Sequence, residues 1–209
     1  MHVAFDADTL RRILSAVCLG GIVVTSTFST RSLVHVSLFA ALIAAFALVP
    51  PIPVPVIPVP VTLQTLGVML AGLVLGPRLG ALAVLLYVGL AVLGLPILPG
   101  GRGGLAVLVG PTGGFLVGFV VGAWMIGLLA QRVSAKTEML ILARYFMACV
   151  VGGILTVYAI GIPWLANVAN MSIGQAAMAV LLFVPGDMIK AALASFVATR
   201  LAKLQLIQP

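Results

Sequence analysis

The sequence predicts an all-α integral membrane protein, and three features of the chain support that fold class. Of its 209 residues, 63% are hydrophobic and only 7% are charged, whereas about 25% of the residues in a soluble domain are charged. The apolar residues form segments long enough to cross a bilayer, and the lysines and arginines gather on one side of those segments. The same composition excludes a disordered chain, which would be poor in apolar residues and rich in charge.

Six apolar segments are candidates for membrane-spanning helices. A spanning helix needs about 20 apolar residues, within a range of about 17 to 25. The second segment is short, and the last is interrupted by Pro185-Gly186. We expect a kink or a division there, because proline lacks a backbone donor and clashes with the preceding turn. The predicted spans are residues 33–49, 61–75, 79–98, 111–130, 139–161 and 176–200.

The distribution of positive charge orients these spans, because the short cytoplasmic loops of membrane proteins collect lysine and arginine. On the opposite side, the predicted external segments at 50–60, 99–114 and 162–175 carry only Arg102. Both termini are therefore predicted to be cytoplasmic. The nine cations predicted on the cytoplasmic side are Arg11, Arg12, Arg31, Arg78, Arg132, Lys136, Arg144, Arg200 and Lys203.

Residues 1–30 are interpreted as a cytoplasmic or interfacial N-terminal extension, ahead of a six-helix membrane domain at 31–209. The pair Arg11-Arg12 followed by an apolar run also fits a secretory signal peptide, which is the alternative. The strongly apolar part of that run is only about a dozen residues long, which is short for a span. Serines and threonines follow it directly.

Asp187 and Lys190 in the sixth span are the first candidates for function, because a charge at the centre of a spanning helix costs about 2.5 to 3.5 kcal/mol even on a lenient insertion scale. Their spacing of three residues places them on one helix face, close enough to interact. One interpretation is an ion pair that only fixes helix packing. The other is a ligand site, which is favoured because Arg102 comes from the same side of the membrane in a loop rich in glycine.

The glycine-rich segment 99–114 is predicted to approach a ligand closely. Glycine adopts positive φ and exposes backbone N–H groups in concave turns that hold anions. The helix that follows begins near Thr112, so its positive dipole end faces the same region. The segment is therefore predicted to favour binding of a carboxylate. The alternative interpretation of the segment is a plain flexible turn.

Two sets of small residues at helical spacing predict close helix contacts. Gly114, Gly118 and Gly122 recur every four residues and predict a packing face in the fourth span. The second set lies in the first span and predicts a contact that is either internal or with another protein. It consists of Ala40, Ala41, Ala44 and Ala45.

The polar residues Thr62, Gln64 and Thr65 follow the proline-rich stretch 50–60, which is predicted to be extended and stiff. These three residues fit a ligand contact and a cap on a neighbouring helix equally well. Trp164 lies where an interfacial aromatic is expected, so membrane anchoring is the favoured interpretation.

The residues present exclude several enzyme classes. None of the three lysines follows a glycine, so the chain has no phosphate-binding Gly-Lys motif and is not expected to hydrolyse ATP by itself. The two histidines and two cysteines lack metal-ligand spacing, and a single intramembrane aspartate cannot form a carboxylate dyad. The sequence therefore predicts a binding protein that is not an enzyme and uses no metal or cofactor.

The chain carries five short motifs in order, which are Pro58-Val59-Pro60-Val61-Thr62-Leu63-Gln64-Thr65-Leu66, Leu75-Gly76-Pro77-Arg78-Leu79-Gly80, Gly-Gly-Arg-Gly-Gly at 100–104, Gly-Pro-Thr-Gly-Gly at 110–114 and Pro-Gly-Asp-Met-Ile-Lys at 185–190. Any one of them alone would be weak evidence, but five in order are strong. From about residue 31 onward, the chain resembles the BioY family of biotin-binding membrane proteins, the substrate-capture subunits (S components) of energy-coupling factor (ECF) transporters.

The resemblance implies a six-helix subunit that captures biotin from the external side of the bacterial cytoplasmic (inner) membrane for uptake. It implies that biotin is the transported substrate and that the glycine loop covers the pocket. It also implies partners, namely a transmembrane coupling subunit that meets the small residues of the first span and two cytosolic ATPase subunits. The predicted biotin-binding residues are Asp187, Lys190, Arg102, Gly101, Gly103, Thr112, Gln64, Phe115 and Tyr158.

The chemistry of biotin suits these residues without deciding every contact. Asp187 would accept from a ureido N–H, and either Lys190 or Arg102 would meet the carboxylate or the ureido carbonyl. Relatives often have tyrosine where this chain has Phe115, which lacks a hydroxyl. Two other functions stay open, a proton-coupled carrier that works alone with Asp187 as the protonation site, and a membrane scaffold in which Asp187 and Lys190 form a structural pair.

Overall fold

The computed structural model describes residues 29–53, 58–131 and 137–204, and these form helices with two isolated β-bridges between loop residues. Five helical segments of the described chain are long and apolar enough to cross a membrane. The all-α membrane fold predicted from the sequence is therefore confirmed. Most of the predicted extension at 1–30 lies outside the described residues, so its role and the orientation of the termini stay predictions.

The first helix, α1, spans Thr30–Leu48 and begins where Ser29 caps it. The Ser29 side chain accepts a hydrogen bond of 3.2 Å from the backbone N–H of Ser32, which satisfies one of the donors that a helix start leaves free. After α1, Ile52 and Val61 pair through two backbone hydrogen bonds of 3.0 and 2.9 Å.

The next segment, α2, spans Gln64–Val92 and is a hairpin of two helices. The backbone leaves helical geometry at Gly76, with φ 77° and ψ −176°, just before Pro77. A Cβ on Gly80 would lie 2.7 Å from the carbonyl oxygen of Ala71, so the two arms turn back and pack against each other. This turn coincides with the predicted boundary between the second and third spans, although the total of six crossings stays a prediction.

After the glycine-rich loop, a short helix α3 at Ala106–Val109 leads into α4 at Gly113–Gln131. The glycine face predicted in this span is confirmed by its neighbours. A Cβ on Gly118 would lie 3.1 Å from Cα of Val157, and one on Gly122 would lie 2.6 Å from the carbonyl oxygen of Gly152. Only glycine allows the backbones of these helices to approach so closely.

The fifth predicted span, 139–161, is longer in the structure. Helix α5 at Glu138–Ala148 continues into a π-helix at Cys149–Thr156 and then into α6 at Val157–Val168. The helix continues through Pro163 at the cost of the hydrogen bond that proline cannot donate. The predicted external segment 162–175 is correspondingly reduced to the few residues that precede the next helix.

The last predicted span is divided, as its proline indicates. Helix α7 at Ile173–Val180 is followed by a 3-10 turn at Leu181–Phe183 and by α8 at Val184–Lys203. Pro185 lies in the first turn of α8, where its missing N–H would have no helical partner in any case. The division places Asp187 and Lys190 near the start of α8, at the end of the bundle that carries the glycine-rich loop.

The bundle is built around α2, which packs against α1, α4 and α8. Its core has two parts. One lies at the end that carries the glycine-rich loop and includes Leu98, Val107 and Phe115. The other, with Ile126 and Ala198, fills the opposite end.

Candidate functional site

A pocket opens at the end of the bundle that carries the glycine-rich loop. It encloses about 630 Å³ of empty space, including its open mouth. Its walls are mostly apolar, as is usual for small-molecule sites. The charged lining residues are Asp187 and Lys190 of α8 and Arg102 of the glycine-rich loop. The lining residues are Val59, Pro60, Val61, Thr62, Gln64, Thr65, Leu98, Pro99, Arg102, Val107, Thr112, Phe115, Leu116, Phe119, Val157, Tyr158, Phe183, Asp187 and Lys190.

Asp187 and Lys190 form a buried ion pair in the pocket wall. The Lys190 ammonium nitrogen lies 2.8 Å from Oδ1 of Asp187, and the two residues are only 3% and 7% exposed. Their spacing of three residues in α8 places both side chains on one face. The pairing therefore follows from the spacing that the sequence shows, whereas the packing of the helices turns that face into the pocket.

Lys190 uses all three of its donors within the protein. Besides Asp187, its Nζ donates to the backbone carbonyl of Thr62 at 2.5 Å and to Oγ1 of Thr65 at 3.0 Å. An ammonium group has three donors and no acceptor. Lys190 is therefore saturated in this structure and joins α8 to the start of α2.

Asp187 accepts from three side chains, which hold its carboxylate in place. Thr65 donates to Oδ1 at 3.1 Å and Tyr158 donates to Oδ2 at 2.6 Å, in addition to Lys190 on Oδ1. A carboxylate offers about four acceptor positions. One acceptor position on Oδ2 is left without a donor among the described residues.

Arg102 lies at the mouth of the pocket on a tight turn. Gly100 and Gly101 have φ of 76° and 68°, positive values that glycine adopts without the steric penalty that a side chain would bring. Leu98 and Arg102 close the turn through a backbone bridge. Arg102 is exposed, and Nε donates to the Pro99 carbonyl at 3.1 Å, so this side of its guanidinium is fixed while the Nη groups make no hydrogen bond to any described residue.

The structure brings together seven of the nine predicted binding residues, including Gln64, Thr112, Phe115 and Tyr158. The other two, Gly101 and Gly103, belong to the loop but do not line the pocket. Gly103 packs against the backbone of Leu95, where a Cβ would clash. The contribution of these two glycines is thus to shape the loop that carries Arg102.

Gln64 lines the pocket but is already engaged on both ends of its amide. Its Oε1 accepts from the hydroxyl of Thr62 at 3.1 Å, and its Nε2 donates to the hydroxyl of Tyr87. Tyr87 in turn donates to the carbonyl of Ile97 at 3.1 Å. Sequence reasoning missed Tyr87, although a tyrosine in an apolar span signals a hydroxyl that must find a partner.

Sequence reasoning also missed much of the apolar wall. Leu98, Val107, Phe119 and Phe183 line the pocket, but apolar residues in an apolar chain carry no signal that separates the pocket from the core. The fold alone brings them together.

Trp164 holds the second part of the glycine-rich loop. Its indole N–H donates to the carbonyl of Gly110 at 2.9 Å, and Gly113 and Gly114 leave space for the ring, because a Cβ on either would meet it. Trp164 is 39% exposed. It therefore positions the start of α4 in addition to facing the surroundings of the bundle.

The four alanines predicted as a partner contact lie on two faces of α1. Ala40 is 3% exposed and belongs to the core, and Ala44 packs against that core. Ala41 and Ala45 are exposed on the outer side of the helix. Within this structure, the first pair makes an internal contact and only the second pair is available to another protein.

Comparisons with known proteins agree on one family. A family model described as the BioY family matches residues 21–206. The chain is 48% identical over 169 residues to the biotin transporter BioY of Rhizobium etli, which covers 80% of this chain and 90% of that protein. It is 40% identical over 178 residues to the biotin transporter BioY of Thermotoga maritima, covering 84% and 98%.

A solved structure shows the same fold. The crystal structure at 2.1 Å of the S-component for biotin from an ECF-type ABC transporter matches with a TM-score of 0.78 and 30% sequence identity. The match covers 85% of this chain and 95% of the other. The arrangement of helices around the pocket is therefore that of a transporter S-component.

Proposed function

The chain belongs to the BioY family, and we propose that it is the substrate-binding subunit of a biotin transporter, capturing biotin from the external side of the membrane for uptake. It is a transport protein and not an enzyme. One observation carries the assignment of the site, namely the buried Asp187–Lys190 pair in the wall of an apolar pocket whose mouth carries Arg102. Biotin needs this combination of groups in its binding site. It is the transported substrate, and the protein uses no cofactor.

Biotin has three chemically distinct parts. Its ureido ring offers two N–H donors and one carbonyl acceptor, its sulfur-containing ring and chain are apolar, and its chain ends in a carboxylate. A site for this molecule requires an acceptor and a donor at one end, apolar walls, and a cation at the other end. The pocket supplies all three.

We assign the biotin carboxylate to Arg102. The three donors of Lys190 are engaged by Thr62, Thr65 and Asp187, so a second anion would have to break one of those bonds. The Nη groups of Arg102 have no hydrogen-bond partner in the part of the chain that the structure describes, and a guanidinium binds a carboxylate through two parallel hydrogen bonds. Of the two cations that the sequence left open, the saturation of Lys190 supports Arg102 as the partner of the carboxylate.

The ureido ring is assigned to the opposite end of the pocket. The remaining acceptor position on Oδ2 of Asp187 suits a ureido N–H. Gln64 has a second N–H on Nε2, beyond the one that Tyr87 accepts, and this donor suits the ureido carbonyl. Phe115 and Phe119 offer apolar surface for the ring and chain of biotin between these two ends.

The protein is a multi-pass membrane protein, and we place it in the bacterial cytoplasmic membrane with both termini in the cytoplasm. Its structural neighbour is the S-component of an ECF-type ABC transporter. On this basis, the proposed partners are a transmembrane coupling subunit and two cytosolic ATPase subunits. The outward-facing pair Ala41 and Ala45 on α1 is the proposed contact with the coupling subunit.

Equilibrium binding of biotin to the purified protein in detergent tests the proposal. The parent is expected to bind tightly, and Asp187→Asn and Lys190→Ala to bind at least tenfold more weakly, about 1.4 kcal/mol. Lys203→Ala is the matched control, since this lysine is exposed and pairs with Glu138 away from the pocket. Gel filtration of each variant verifies that it is folded, and absence of biotin binding by a folded parent would overturn the proposal.

A further inference from the structure

Tyr87 is a buried polar residue that makes no contact with the pocket, and its hydrogen bonds point to a role there. It is 0% exposed and lies in the second arm of α2. Its hydroxyl donates to the carbonyl of Ile97 at 3.1 Å and accepts from Nε2 of Gln64. A phenylalanine would fill the same apolar space without these bonds.

The direction of each hydrogen bond around Tyr87 is fixed by chemistry. The Ile97 carbonyl has no proton, so the Tyr87 hydroxyl must donate to it. The same hydroxyl oxygen then accepts from the Gln64 N–H, which turns Oε1 of Gln64 toward the Thr62 hydroxyl. Since the backbone carbonyl of Thr62 accepts from Lys190, Thr62 connects the ion pair to the hydrogen bonds that lead through Gln64 and Tyr87 to Ile97.

Ile97 is the residue that leads into the turn carrying Arg102. The turn is closed by the backbone bridge between Leu98 and Arg102, with N–O distances of 3.1 and 3.3 Å. Leu98 is buried at 4% exposure, whereas Arg102 itself is exposed. The bond from Tyr87 therefore anchors the turn on the side where it leaves the bundle, one residue before the bridge.

We propose that Tyr87 is a positioning residue for the carboxylate of the ligand, acting through Ile97 to hold Arg102 over the mouth of the pocket. The inference rests on the proposed function, because it takes biotin as the ligand and Arg102 as the group that binds its carboxylate. Loss of the Tyr87 hydroxyl frees the Ile97 carbonyl and lets the turn move. Arg102 then meets the carboxylate in fewer of the conformations that the turn adopts.

The test compares biotin with its methyl ester, which keeps the ureido ring and chain but lacks the negative charge. Dissociation constants for both ligands are measured with the parent, Tyr87→Phe, Arg102→Gln and the double variant. Tyr145→Phe is the matched control, because Tyr145 is a half-buried tyrosine in α5 that does not line the pocket. Each variant is first shown by gel filtration to be folded.

We expect the parent to bind the acid more tightly than the ester and Arg102→Gln to reduce that preference by about tenfold or more, since a hydrogen bond to a charged group is lost. Tyr87→Phe is expected to reduce the preference by about two- to tenfold, as for the loss of one neutral hydrogen bond. In the double variant, the tyrosine change is expected to have no further effect on the preference. Tyr145→Phe should leave it unchanged.

Equal weakening of acid and ester binding by Tyr87→Phe would overturn the inference, because it would show that Tyr87 acts on the uncharged part of the ligand, through Gln64 or through packing, and not on its carboxylate. So would an unchanged preference. Failure of the parent to bind biotin would instead refute the proposed function.

Backbone amide hydrogen exchange in the protein without ligand tests the same inference even if the parent does not bind biotin. Tyr87→Phe should accelerate exchange at the amides of Leu98, Gly101 and Arg102, whose hydrogen bonds close the turn. Tyr145→Phe should not. Unchanged exchange in Tyr87→Phe would refute the positioning role whatever the ligand.

Discussion

The hydroxyl of Tyr158 in α6 donates a hydrogen bond of 2.6 Å to Oδ2 of Asp187 in the first turn of α8. Oδ2 also keeps one acceptor position, which we assign to the ligand. Tyr158 thus holds the orientation of the carboxylate that we assign to the ureido ring, and it links two helices across the pocket.

Replacement of Tyr158 by phenylalanine should weaken biotin binding by about two- to tenfold, the effect of losing one hydrogen bond that orients the acceptor. Isothermal titration in detergent measures this change. The corresponding change at Tyr145, which does not line the pocket, should leave affinity unaltered. Parent-like affinity in Tyr158→Phe would contradict the assigned role of Oδ2.

Removal of one member of the ion pair should destabilise the protein more than removal of both. Lys190→Met leaves the Asp187 carboxylate buried without its cation and should lower the free energy of unfolding by about 3 to 5 kcal/mol. The double variant Asp187→Asn/Lys190→Met removes both charges and should recover part of that loss. Unfolding in detergent with increasing denaturant measures both, and a single variant as stable as the parent would show that the pair is not desolvated.

Gly122→Ala should destabilise the protein by about 1 to 3 kcal/mol, the usual effect of inserting a methyl group into a packed interface. The new Cβ would lie 2.6 Å from the carbonyl oxygen of Gly152 in the π-helix. Gly89→Ala is the matched control. A Cβ there meets nothing within 4 Å, and alanine is the better helix former, so thermal unfolding should occur at the same or a higher temperature.

Biotin uptake should depend on ATP and on the partner subunits. In vesicles that contain this chain with a coupling subunit and ATPases, uptake is expected with ATP and is not expected to change when a protonophore collapses the proton gradient. Vesicles with the chain alone provide the comparison. Uptake by the chain alone that follows the proton gradient would favour the solitary carrier with Asp187 as the protonation site.

Transport by the assembled complex should also respond to the outer face of α1. Ala45→Leu places a large side chain on that exposed face and should reduce uptake while leaving biotin binding by the isolated subunit unchanged. Exposed Leu33 on the same helix offers a control, because Leu33→Met changes shape little. Unaltered uptake in Ala45→Leu would remove this face as the coupling contact.

Much of the fold was open to prediction because its signals are local. Apolar length places the spans, Gly76-Pro77 marks the turn of the α2 hairpin, and Pro185 marks the division before α8. Each is a property of a few consecutive residues. The end of α6 was less predictable, since packing lets a helix continue through Pro163 to Val168.

The sequence by itself determined the class of protein, the membrane environment and the side-by-side placement of Asp187 and Lys190, because composition, hydropathy and i,i+3 spacing do not depend on distant residues. Only the tertiary structure decided which partners those charges meet. Thr65 comes from α2 and Tyr158 from α6, and both donate to Asp187. Thr62 and Thr65 accept from Lys190, which together with Asp187 engages all three of its donors. Contacts between residues more than 100 positions apart, such as that of Thr65 with Asp187, exist only after the helices pack, so no local pattern encodes them.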